Sequence, residues 1–142
     1  MNPTIKNILA VIAGLLLGSI LNMALVISGA NLIPVPSGAD ITTPEGLKAS
    51  IHLFRPIHFL FPFLAHALGT LLGAFVAAMF ATPAKKKSAS LLIGGLFLLG
   101  GLVNVMTLPS PLWFNLSDLC LAYIPMALIA YRIVAGREKP GL

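Results

Sequence analysis

An all-α membrane protein with four transmembrane helices is the fold class this sequence predicts, and three observations predict it. Of the 142 residues, 58% are hydrophobic and 9% are charged, against about 25% charged in a soluble domain. Four apolar runs reach the roughly 20 residues a helix needs to cross a hydrocarbon core about 30 Å thick. Prolines, glycines and basic residues punctuate the chain between those runs. With a mean hydropathy of +0.98, so few charges cannot cover a globule in water, but they suit a surface that faces lipid. The length has room for one domain, read as a single integral membrane domain over residues 1–142.

The first predicted span covers about 7–28. Ser28-Gly29-Ala30 has the small-x-small form of a signal-peptide cleavage site. The apolar core from Ile8 to Ile27 is, however, 20 residues long, whereas signal cores run to about 7–15, so the segment is read as a retained helix. The loop that follows, residues 29–56, is the longest. Within it Thr43, Pro44 and Glu45 read as an N-cap, a first-turn proline and a first-turn acid. Leu47, Ile51 and Phe54 then fall on one side of a short helix over 44–54, expected to lie in the outer membrane interface with Lys48 on its wet face. The second span, about 57–81, ends at the basic turn "TPAKKKS". The third, about 89–107, ends at "LPSPL", and the fourth occupies about 113–134.

Basic residues set the expected direction of threading. Lys6, Lys85, Lys86, Lys87, Arg132, Arg137 and Lys139 fall on one side of four spans, and Lys48 and Arg55 on the other. The positive-inside bias then places both termini in the cytoplasm and the chain in a cell (inner) membrane. The formal charge of +5 is therefore assigned to topology and lipid headgroups. No basic stripe alternates with aromatics, so nucleic acid is not an expected partner. The expected partners are the bilayer and either a second copy or another membrane subunit.

"LLLGSILNM" (15–23) and "FLLGGLVNV" (97–105) match in part. Gly18 meets Gly100, Ser19 meets Gly101 and Asn22 meets Asn104. Both segments run in the same direction, so the pattern reads as a duplicated two-helix hairpin. The competing reading is that leucine-glycine repetition is common in membrane helices. Ala10, Gly14 and Gly18 recur every fourth residue, as do Ala65, Gly69, Gly73, Ala77 and Ala81. Such small residues let helix backbones approach. Gly14, Gly18, Gly69, Gly73, Gly100 and Gly101 are the expected packing positions.

Polar residues within the spans are the candidate site. At a 1.5 Å rise, Asn104 lies about 5 Å from its outer helix end, Asp118 about 8 Å, Asn22 about 9 Å and His66 about 13 Å. His58 sits at the outer boundary. Polar groups in spans turn inward, so these five are expected to converge on an outward-facing pocket with Asp118 and His66 as its ionisable members. Tyr123 falls in the inner half by the same arithmetic. Each residue also has a structural reading: His58 as an interface anchor, His66 and the asparagines as interhelix hydrogen bonds. Pro62 and Pro125 free backbone carbonyls within their helices.

Several chemistries are poorly supported. His58 and His66 are about 12 Å apart along a helix, too far to share a metal, and no cofactor or metal site is expected. Cys120, the only cysteine, excludes an intrachain disulfide. Ser117 points about 100° away from Asp118 on a helix, so no activated nucleophile is evident and no catalytic residue is assigned. The leading expectation is non-enzymatic binding or translocation of a small solute or ion. The alternatives are an accessory or assembly subunit of a membrane complex, and a membrane-embedded enzyme or haem-binding protein.

Overall fold

The computed structural model describes residues 1–137. Lys139, one of the residues used for orientation, lies outside them. The described residues are all-helical, with no strand, and form four helical spans long and apolar enough to cross a membrane. Large apolar side chains such as Ile8, Ile20, Leu99, Val103 and Leu116 stay exposed along those helices. Water would not tolerate a surface of that extent.

Helix α1 spans Pro3–Leu32. Asn2 caps it by accepting from the Thr4 N–H at 2.8 Å, and Pro3 occupies the first turn, where its missing N–H costs nothing. The helix outruns the expected 7–28 because nothing breaks it before Pro34, which forces Ile33 into extended backbone. Ser28, Gly29 and Ala30 therefore form its last turns, and Gly29 lies against Phe61, where no Cβ would fit.

Helix α2 is Pro44–Ser50, shorter than the expected 44–54 and continued by a 3-10 turn at Ile51–Leu53. The Thr43 hydroxyl accepts from Gly46 N–H at 3.0 Å. Pro56 holds Arg55 in extended backbone and so ends this unit. Its apolar side packs on the protein: Ile51 is buried against Phe59 and Phe114, with Phe54 beside them.

A second 3-10 turn, Pro56–Phe59, leads into helix α3, Leu60–Phe80. Pro62 falls in the first turn of α3, so it ends no helix. Helix α4, Lys86–Thr107, follows the 3-10 turn Pro83–Lys85. The expected fourth span is present as Leu112–Arg137, but it is broken into two helices, α5 (Leu112–Leu121) and α6 (Ile124–Arg137). Pro125 supplies the reason. Its ring cannot donate to the carbonyl four residues back and clashes with it; that carbonyl belongs to Leu121, where α5 stops.

Helix α3 lies at the centre, touched by α1, α4, α5 and α6. The α1–α3 seam is built on glycine. A Cβ on Gly14 would strike the Gly73 carbonyl, and one on Gly18 would come within 2.7 Å of the Gly69 carbonyl. The interior continues in small residues, with Ala10, Ala74, Ala77, Ala89, Ala127 and Ala130 packed around Ile93. Ser90 ties α4 to α6 by donating to the Ala127 carbonyl at 2.7 Å. At one end of the molecule Asn7 accepts from Thr82 N–H at 2.8 Å, which sets the start of α1 beside the α3–α4 turn.

The two halves of the sequence match occupy different environments. Gly18 is buried in the seam, whereas a Cβ on Gly100 would meet nothing within 4 Å. Gly100, expected at a packing position, therefore meets no neighbour there among the described residues. Gly101 does: it faces the hydroxyl and ring of Tyr123, which leave no room for a side chain.

Candidate functional site

His66 and Asp118 meet. His66, on α3, places its Nδ1 2.8 Å from Asp118 Oδ1 and 2.9 Å from Oδ2, and Asp118 is only 3% exposed. Tyr123 completes the cluster by donating from its hydroxyl to Asp118 Oδ2 at 2.7 Å. The same hydroxyl oxygen lies 3.0 Å from His66 Nδ1, with the two rings stacked at 5.7 Å.

The break between α5 and α6 makes this arrangement possible. On an unbroken helix, residues five apart lie about 140° apart around the axis, so the Tyr123 hydroxyl could not reach Asp118. The turn at Ala122–Tyr123 brings the phenol back to the level of His66 and Asp118, not toward the other end of the bundle as helix arithmetic implied. Gly101 on α4 then supplies the space the phenol fills. Sequence reasoning missed Tyr123; the signal was Pro125 two residues on, which marks a break in the ruler used to assign depth.

The roles of the atoms follow from the charge on Asp118: an ionised carboxylate only accepts, and His66 Nδ1 is then the donor of the bond they share. Both Asp118 oxygens are occupied, while His66 Nε2 makes no hydrogen bond within the described residues. A carboxylate behind Nδ1 orients the imidazole, as in sites that present one histidine nitrogen to a ligand.

Two recesses border the cluster, the larger of them an open groove. The larger, about 470 Å³, lies between α1 and α4 and is lined by Ser19, Asn22, His66, Asn104 and Tyr123 with apolar residues such as Leu15, Leu96 and Phe97. The smaller, about 220 Å³, holds His58, His66, Asn104 and Asp118 and is roofed by Leu47, Ile51 and Phe54. The five predicted residues thus line two chambers, not one, with His66 and Asn104 in the shared wall. Asn22 belongs to the larger chamber alone, where its Oδ1 is buried without a partner. Asn104 is exposed on α4.

His58 is accounted for by local bonds. Its Nδ1 accepts from Arg55 N–H at 3.0 Å and its Nε2 donates to the Pro34 carbonyl at 3.1 Å. It clamps the start of α3 to the chain leaving α1, at the edge of the roofed chamber. Ser117 donates to the Trp113 carbonyl at 2.8 Å and Cys120 is exposed; neither is a partner of His66. Among the described residues no three histidine, cysteine or acidic side chains are grouped to hold a metal ion.

No family model, curated protein or solved structure matches the chain. The functional reading therefore rests on the site alone.

Proposed function

We propose that this chain is a multi-pass protein of the cell (inner) membrane that binds or translocates a small solute or ion through the chambers around His66 and Asp118. Both termini lie in the cytoplasm, and the roofed chamber opens outward. One observation carries the reading: the His66–Asp118–Tyr123 cluster sits in the wall between two cavities, with an unbonded imidazole nitrogen. A carboxylate in hydrocarbon is costly, and burying one beside empty space is more than helix packing requires. Thermal unfolding of the purified full-length protein in mild detergent, scanned against small solutes and ions, tests it. A stabilising solute should raise the midpoint of the wild type and have no effect on Asp118→Asn. Failure of every solute, with both proteins folded, would refute it.

A second reading has its own observation. The exposed Asn104 amide has no side-chain hydrogen bond among the described residues, as expected of an accessory subunit whose α4 bonds to a partner helix. Native mass spectrometry separates the readings: one stoichiometric protein partner that is lost with Asn104→Leu would favour the subunit.

A further inference from the structure

We infer that this chain pairs with a second copy of itself in the membrane, helix α4 of each copy lying in the open α1–α4 groove of the other. The inference rests on the observation behind the second reading above, an α4 that bonds to a partner helix, and it names that partner.

Unmet hydrogen bonds locate the surface. Ser28, Ser90, Thr107 and Ser117 each donate a hydroxyl to a backbone carbonyl of the chain. Ser19 on α1 and Asn104 on α4 do not. Both are exposed, neither side chain makes a hydrogen bond among the described residues, and both line the same groove. Asn22, deeper in that groove, has its Oδ1 closed off and takes no part. Met106 and Leu112, beyond Asn104 in the chain, are exposed and apolar, so Asn104 stands in hydrocarbon and not in water. There no solvent satisfies an amide, and a bond across to another helix does. An acyl chain brings neither donor nor acceptor.

Shape agrees. Leu96, Gly100 and Asn104 stand four residues apart in one row, and all three are exposed. A Cβ on Gly100 would meet nothing within 4 Å, unlike one on Gly94 or Gly101, which would strike Ala127 or Tyr123. The chain therefore gains no internal contact from a glycine at 100, although glycine costs helix propensity. A bare position one turn from a polar one lets two helices approach closely enough for so short a side chain to reach across.

Symmetry selects the second copy. Copies inserted in the same direction are related by a two-fold axis along the membrane normal, and that rotation preserves depth. Each polar side chain of one copy then meets the same level of the other. An amide both donates and accepts, so Asn104 is its own complement, and Ser19 of the second copy offers a hydroxyl across the groove. An unrelated helix would need a polar residue placed at this depth; a copy of the chain carries one already. Pairing also closes the open side of the groove, whose wall includes His66 and Tyr123.

The test is sedimentation of the full-length protein in mild detergent over a range of protein-to-detergent ratios. The wild type should sediment as two chains at high ratio. Gly100→Leu should sediment as one chain at every ratio, with wild-type helix content, because the added side chain has room within its own chain. Gly95→Leu is the control: that position is equally open but lies about 140° around the helix from Gly100, so the dimer should persist. Asn104→Leu should raise the dissociation constant by about threefold or more. A dimer that survives Gly100→Leu, or that Gly95→Leu disrupts as fully, overturns the inference. One chain at every ratio, carrying no other protein, overturns it together with the partner-helix reading. One chain holding a different protein that Asn104→Leu releases overturns the second copy and leaves that reading standing. None of these outcomes depends on whether a solute binds.

Discussion

At Asp118 a single side chain depends on two others for its place in an apolar interior. Both of its oxygens are taken, by His66 Nδ1 and by the Tyr123 hydroxyl. Removing one donor leaves a buried acceptor short, so Tyr123→Phe should destabilise the protein by about 1–3 kcal/mol, measured by unfolding in detergent. Residues that share a hydrogen bond do not act independently. Asp118→Asn and His66→Gln should each destabilise, and the double variant by about 0.5–3 kcal/mol less than their sum. Strict additivity would mean the two side chains do not meet. Tyr123→Phe should also lower the midpoint more than a conservative change at the exposed Leu121.

Helix packing depends on which glycines face a neighbour, not on how many the helices contain. Gly69 lies against the Gly18 carbonyl and the Asn22 side chain, with a Cβ there at 2.9 and 3.0 Å from them. Gly69→Leu should therefore force α1 and α3 apart and cost about 1–3 kcal/mol or more. Gly95 has nothing within 4 Å of a Cβ, so Gly95→Ala should be neutral or stabilise by about 0.5–1 kcal/mol through its better helix propensity. Equal effects of the two changes on the detergent unfolding midpoint would remove the seam. In the connection to α2, Asp40 accepts from the Thr42 hydroxyl at 2.6 Å and its N–H at 2.8 Å. Those bonds, the hydroxyl's foremost, hold the Asp40 carboxyl below its usual pKa of 3.8. A lowered carboxylate pKa stabilises fully above the usual value and is lost as pH falls through the lower one. Protection of the Gly46 and Leu47 amides from hydrogen exchange should thus be flat from neutral pH down to about 5, then decline below about 4. Asp40→Asn should abolish that decline.

Across the whole molecule the testable statement is the threading. Ser37 is exposed in the α1–α2 connection, and Lys87 is exposed at the start of α4, where its neighbour Lys86 is buried. In a background with Cys120→Ala, a cysteine at 37 should react with an impermeant thiol reagent in intact cells. One at 87 should react only after lysis. Labelling of both in intact cells would refute cytoplasmic termini and the outward opening of the roofed chamber with them.

Length and apolar composition alone determined the four helical spans, because crossing hydrocarbon demands about 20 apolar residues and backbone bonds satisfied within the segment. Local chemistry was as legible: Thr43-Pro44-Glu45 starts α2 and Pro56 ends the segment that follows. The residues of greatest interest, His66 and Asp118, stood out because ionisable groups are rare in such a chain. Only the tertiary structure decided what they do together. Sequence spacing measures depth along one straight helix and is silent about rotation, so it could not divide five polar residues between two chambers or leave Gly100 without a contact while Gly18 packs. It also failed at Tyr123, where the Pro125 break changes the direction of the chain and returns a phenol to a carboxylate five residues earlier. Leu47, Ile51 and Phe54 were recognisable as one apolar face; whether that face meets lipid or closes a cavity depends on what lies beneath it, and Phe59 and Phe114 come from distant parts of the chain.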